Sequence, residues 1–296
     1  LKFLNKNLLI LHQNLAKLVK NNMKYILKVA IILLITVTSV SVSAQKGYEL
    51  GGWLGTSYYF GDLNTNLKIT KPGIALGVIA RYNFNTRVSM RTSLSYGRVG
   101  ADDADSRNNF ERNRNLSFRS NIFDLSNVLE FNFFKYEHGS RIYNKTPYLF
   151  GGFNLFHFNP VAELNGEKYK LRDFGTEGQA VGQEYSLVNG GLVIGGGFKW
   201  DISADVSINI DISTRFLFTD YLDDVSSVFP SKAVLESTRG ATAVALSDRS
   251  LVDGLGDTDR QRGDTKGKDK YTFFGVSILK YFGGIECPEI SRPKWK

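Results

Sequence analysis

The sequence predicts an all-β protein: an eight-stranded antiparallel transmembrane β-barrel with a filled polar interior. Three observations predict it. Apolar and polar residues alternate in segments of about 9 to 11 residues, the length of a tilted membrane strand. After residue 45 no apolar run approaches the roughly 18 residues that suggest a membrane helix. The connections between the alternating segments are long and short in turn, as in barrels with short turns on one side of a membrane and loops on the other.

Residues 23–44 read as a secretory signal, with Lys24 and Lys28 before an apolar run from Val29 to Val42 and the small pair Ser43 and Ala44 at the cut. No cysteine stands at the cut directly after that run, which excludes lipoprotein processing. Residues 1–22 precede a self-sufficient signal beginning at Met23 and are expected to be a leader upstream of the true start. The barrel is then expected over residues 45–283 and a periplasmic tail over 284–296.

The strands follow in order. The first is expected at residues 48–59. The second covers 74–83, where Ile74, Leu76, Val78, Ala80 and Tyr82 oppose Ala75, Gly77, Ile79, Arg81 and Asn83. The third covers 88–97, with Val88, Met90, Thr92, Leu94 and Tyr96 opposite Ser89, Arg91, Ser93, Ser95 and Gly97. In the fourth, 123–133, Phe123, Leu125, Leu129, Phe131 and Phe133 oppose Asp124, Ser126, Glu130 and Asn132. The fifth and sixth are expected at 147–158 and 187–200. The seventh, 206–218, is the most regular, with Val206, Ile208, Ile210, Ile212, Phe216 and Phe218 against Ser207, Asn209, Asp211, Ser213 and Arg215. The eighth, 271–282, is apolar but alternates poorly, and its facing stays open.

Short connections near 83–86 and 201–205, and long ones at 98–117, 159–185 and 220–270, place both termini in the periplasm and four loops outward, in the outer membrane of a Gram-negative cell. The connection 136–146 has an awkward intermediate length. The last loop carries Asp253, Asp257, Asp259, Asp264 and Asp269 without the regular spacing of a calcium loop, so it is expected to be solvated and mobile. No metal and no cofactor are expected.

Charge excludes one class of partner. Six of the 37 basic residues precede residue 45, leaving 31 against 29 acidic residues, a balance of only +2. A nucleic-acid partner loses its support, and outer-membrane lipid is the expected surrounding. On the inward faces, Arg81, Arg91 and Arg215 meet Asp124, Glu130 and Asp211. Charges would be costly in hydrocarbon, so these six form a lumen charge network. An eight-stranded barrel is just wide enough to be filled by its side chains, which argues for a plug rather than a pore.

Catalysis finds little support, and no catalytic residue is assigned. After residue 45 the only histidines are His138 and His157. His138 lies in a connection and is expected to be solvated. His157 lies near the outer end of the fifth strand, where a lipid-modifying barrel enzyme could use it. The single cysteine, Cys287, has no internal partner. In an oxidising compartment it implies an intermolecular bond or a free thiol, and a disulfide from the tail to a periplasmic partner is the hypothesis.

Several segments together resemble a known family. They are GTSYYFGDLN (55–64), PGIALGVIARYNFN (72–85), RVSMRTSLSYGRVGADD (87–103), Arg112 and Arg114, and LSFRSNIFDLSNVLEFNFF (116–134). The more specific features are Gly61-Asp62-Leu63, Arg81-Tyr82-Asn83 and the arginine-rich second loop; Gly61-Asp62-Leu63 reads better as a strand-ending turn than as a ligand site. The pattern resembles the PorG-like outer-membrane β-barrel family of the Bacteroidota type IX secretion system, over most of residues 45–282. The resemblance implies a non-catalytic component of that protein secretion and gliding machinery, anchoring or contacting a periplasmic ring made by a lipoprotein and its partner protein. The alternatives are an outer-membrane adhesin or a lipid-modifying barrel enzyme.

Overall fold

The computed structural model describes residues 46–65, 69 and 71–285. The leader, the signal, most of the tail and Cys287 lie outside the described residues.

Eight strands make the wall: β1 (Gly47–Phe60), β2 (Gly73–Asn83), β3 (Val88–Asp102), β4 (Ser117–Asn132), β5 (Lys145–His157), β8 (Val188–Asp201), β9 (Val206–Leu217) and β10 (Lys270–Gly283). Each pairs antiparallel with its neighbours in chain order, and β1 pairs with β10 from Gly47↔Gly283 to Phe60↔Lys270, which closes the cylinder. Closure matters physically, because in lipid every backbone N–H and C=O must find a partner inside the protein.

Side chains sort by parity. Leu54, Val78, Leu94, Leu129, Phe153, Ile194, Ile212 and Ile278 all point outward and are exposed, while their neighbours in sequence are covered. So large an exposed apolar surface would be a severe liability in water. Its natural solvent is hydrocarbon. Aromatic side chains gather towards both rims of the belt: Tyr48, Tyr82, Phe84, Phe133 and Trp200 at the end where β1 begins and β10 finishes, and Tyr96, Phe123 and Phe218 at the other. Such girdles mark the two membrane interfaces. Among the described residues no helix is long and apolar enough to cross a membrane.

The open facing of the last strand is resolved. Phe274, Val276, Ile278 and Phe282 face out, while Tyr271, Phe273, Leu279 and Tyr281 are buried inside. Alternation fails in the sequence because both faces of this strand are apolar. Glycines make room for such bulk: a β-carbon on Gly195 would lie 2.3 Å from the Phe150 ring, so a side chain there would collide with the aromatic that crosses the lumen.

Gly47 at the start of β1, Gly283 at the end of β10 and the three short turns share one end of the barrel, and the four long connections share the other. Those connections are built structure. The second holds a helix, α1 (Asn109–Arg114), and the third a hairpin, β6 (Pro160–Leu164) and β7 (Glu167–Lys170), which extends the wall beside β4. The fourth holds α2 (Lys232–Arg239) and α3 (Ala241–Ser247). The expectation of a solvated final loop is corrected: Leu222, Val225, Phe229, Leu235 and Leu246 are all buried. Several of them pack with Tyr59, Phe118, Phe156, Phe158 and Tyr271 into an apolar core across the barrel mouth. Burial of that many large side chains supplies the driving force that a polar loop lacks.

Candidate functional site

The lumen is filled in two levels. Towards the turn end, strand pairing sets Arg81 directly opposite Arg91, both pointing inward. Opposed like charges destabilise a strand pair unless something lies between them. Glu130 does: its carboxylate lies 2.9 Å from Arg81 Nε and 3.0 Å from Arg91 Nε as an ion pair, and accepts from Lys199 Nζ at 2.6 Å. Arg81 also reaches Glu49 at 2.7 Å, and Arg91 reaches Asp211 at 2.9 Å. Asn83 donates to Glu49 and the Tyr148 hydroxyl donates to Asp211. Two cations lie on rings as well, Arg91 over Phe150 at 4.2 Å and Lys199 over Tyr148 at 4.5 Å.

Towards the loop end the network thins and aromatic groups take over. Asp124 accepts from the Tyr271 hydroxyl and from Asn154, both at 2.6 Å, with Arg215 Nε at 3.6 Å. Arg215 lies 4.3 Å above the Phe273 ring. Between the levels a cavity of about 20 Å³ is lined by Trp53, Arg91, Ser95, Asp211 and Arg215. It has room for a water or two and for no larger solute.

All six residues expected in the lumen network lie there. Arg81, Arg91, Glu130 and Asp211 form one continuous chain; Asp124 and Arg215 form a separate pair. Four charged members were missed: Glu49, Lys199, Asp201 and His138. Lys199 sits between Phe198 and Trp200, and Glu49 between Tyr48 and Leu50, so strand parity alone would have placed both inside. His138 corrects an expectation. It belongs to the β4–β5 turn but is buried rather than solvated, stacked on Tyr281 at 4.3 Å and held 3.2 Å from both Glu49 and Asp201. Tyr136 donates to the same Asp201 carboxylate. Burial lowers the His138 pKa, but the Asp201 and Glu49 carboxylates outweigh it and raise it to about 9. Protonated His138 then completes a lumen of five cations and five carboxylates among the described residues, with no net charge.

The cap above the mouth has its own polar frame. Arg114 grips Asp103 through two bonds of 2.8 Å and donates to the backbone carbonyls of Asp62 and Arg262. Arg262 is buried and paired with Glu177 at 3.0 Å, and Glu177 accepts from the backbone of Ser226 and Ser227. Burial pushes Asp224 up to about 6, against the pull of Arg262, and Asp62 up to about 7. Among the described residues no group of three or more side chains is arranged to hold a metal ion. His157 lies on the outward wall, with a ring contact to Phe123 at 6.5 Å and no carboxylate in ion-pair reach among the described residues.

A family model described as "Domain of unknown function (DUF6089)" matches residues 26–241. No curated protein matches the sequence. Among solved structures, the chain is similar to Neisserial surface protein A, with a TM-score of 0.40 and 10% identity over 80% of this chain and 97% of that one. It is also similar to Ail, the attachment invasion locus protein of Yersinia pestis, with a TM-score of 0.36 and 11% identity over 81% of this chain and all of that one. The outer membrane protein OprG from Pseudomonas aeruginosa gives 0.40 and 8% identity, over 82% and 98%.

Proposed function

Since the chain belongs to the DUF6089 family, we propose for it a non-catalytic role in the outer membrane: a barrel that anchors or contacts a periplasmic assembly through its turn end and tail. The finer reading is a component of the Bacteroidota type IX secretion and gliding machinery, touching the ring formed by a lipoprotein and its partner protein. It rests on the resemblance of segments 55–64, 72–85, 87–103 and 116–134.

One observation carries the non-transporting part. The interior is closed at both levels, by an ion-paired chain towards the turns and an apolar core under the cap, so a solute has no path through it. A barrel without a path acts through its ends. With both termini in the periplasm, the turn end presents Phe134, Ile142, Tyr143 and Ile202 beyond the lumen, Ile142 being 78% exposed. A disulfide from Cys287 to a periplasmic partner would fix the tail beside that surface. The competing adhesin would use the folded cap instead, and a lipid-modifying enzyme would need partners for His157.

Affinity purification of the native protein from detergent-solubilised outer membranes tests the proposal. Ring lipoprotein and its partner are expected in the eluate, with less recovered from an Ile142→Glu variant. An eluate without them, together with loss of surface adhesion in a strain lacking the cap, would transfer the assignment to the adhesin.

A further inference from the structure

On one side the wall continues beyond the apolar belt. β3 and β4 stay paired out to Asp102↔Ser117, and β6 and β7 widen that sheet, with Arg119 opposite Val161 and Val161 opposite Lys170. Residues opposite one another share a face, so the outer face of this extension is continuous with the lipid-facing wall.

Read upward, its rows change chemistry in a fixed order. Leu94, Leu125 and Leu155 form an apolar row, and Tyr96, Phe123 and His157 an aromatic row, with ring centroids 5.3 and 6.5 Å apart. Arg98 and Asn121 come next, the Tyr96 hydroxyl donating to Asn121 at 3.0 Å. Gly100, Arg119, Val161 and Lys170 form the row above, and Asp102, Ser117, Glu163 and Lys168 the last one. Strand spacing puts the Arg119 backbone about 8 Å from that of Arg98 and about 10 Å from that of Lys170. Arg119 leans towards β3, its Cγ lying 3.2 Å from where a β-carbon on Gly100 would be.

These cations are not neutralised within the protein. Asp102 and Asp105 hold Lys71, Glu163 stands opposite Lys168, and Glu167 accepts from Tyr169. Arg98, Arg119 and Lys170 are exposed and have no carboxylate partner among the described residues. Hydrocarbon, aromatic interface and then positive charge is the order in which a phosphorylated lipid presents acyl chain, ester region and phosphate. Guanidinium groups suit phosphate in particular, because their paired N–H donors match two of its oxygens.

We propose that Arg98, Arg119 and Lys170 form a binding site for the phosphates of a glycolipid headgroup in the leaflet around the loop end. The site rests on the outer-membrane reading above. It would seat one lipid against the rigid four-strand extension, and hold the barrel at a fixed depth with its cap clear of the membrane.

The test uses the full chain in detergent, with native mass spectrometry counting retained bisphosphorylated lipid A against its dephosphorylated form. The wild type should retain the phosphorylated form preferentially. Arg98→Gln with Arg119→Gln should weaken that retention roughly 10- to 30-fold, at about one increment of surface attraction per charge removed. Arg141→Gln with Lys145→Gln, an equal charge loss at the opposite end, should leave it unchanged. Heat-dependent gel mobility shows that each variant is folded, and Lys170→Gln, on the hairpin outside the closed wall, gives a second reading. Equal retention of both lipids by the wild type, or an equal loss in the control pair, overturns the site. A chain that fails to insert into phosphatidylcholine vesicles overturns the membrane reading and the site with it; one that inserts but ignores the phosphates overturns the site alone.

Discussion

Glu130 is the residue on which the lumen turns, since it alone separates Arg81 from Arg91 and also receives Lys199. Removing one partner of a buried ion pair leaves the others uncompensated and typically costs about 3–5 kcal/mol. Glu130→Gln should therefore lower the unfolding free energy of the barrel, from urea titration in detergent, by an amount in that range, whereas Arg141→Gln, exposed in a turn, should not change it. His138 makes a prediction of the opposite kind. Its folded pKa, about 9, lies above the ordinary 6.5. Its stabilisation is fully present below pH 6.5 and is lost as pH rises through 9. The groups facing it are Glu49, Asp201, Tyr136 and Tyr281. Unfolding midpoints measured across that window should fall for the wild type and stay flatter for His138→Gln; parallel curves would show that the histidine is not charged.

At the scale of elements, each wall strand has one face for hydrocarbon and one for the lumen, and substitutions should follow that division. Val78→Arg, on the lipid face near the middle of β2, should cost about 2–4 kcal/mol, while the same change near a rim costs far less. The cap obeys different rules. Its raised carboxylates, Asp62 and Asp224, are harmless when protonated and become buried charges when ionised. The cap should thus be firmest below the ordinary carboxylate value near 4 and loosen as pH rises through about 6 to 7. Hydrogen exchange of the α2 and α3 amides, corrected for intrinsic rate, should show protection falling over that interval. The wall strands were legible in the sequence because hydrocarbon outside and polar groups inside impose a period of two, plainest from Val206 to Leu217. The eighth strand resisted because Tyr271, Phe273 and Leu279 put apolar groups inside as well. The cap was not legible: Leu222, Val225 and Leu246 are scattered among polar residues without any period, and the core they join exists only once four connections meet. His138 was hidden for the same reason, since its pocket is assembled from β1, β8 and β10 around a short turn.

For the whole molecule, closed wall, neutral lumen and packed cap together describe a rigid plug with two differently equipped ends. If Cys287 joins the tail to a periplasmic protein, non-reducing gels of intact envelopes should show a heavier band that Cys287→Ser abolishes. The central claim lies deeper than any partner: lipid touches one set of alternate residues, and the other set touches a filled interior. Spin labels placed one at a time from residue 206 to 217, in a Cys287→Ser chain reconstituted in bilayers, test it most directly. Oxygen, which concentrates in lipid, should relax labels at Ile208, Ile210 and Ile212, and a water-soluble nickel reagent should reach none of Asn209, Asp211 and Ser213. Loss of the alternation would contradict the barrel, and free access of nickel to the inward labels would contradict the plug.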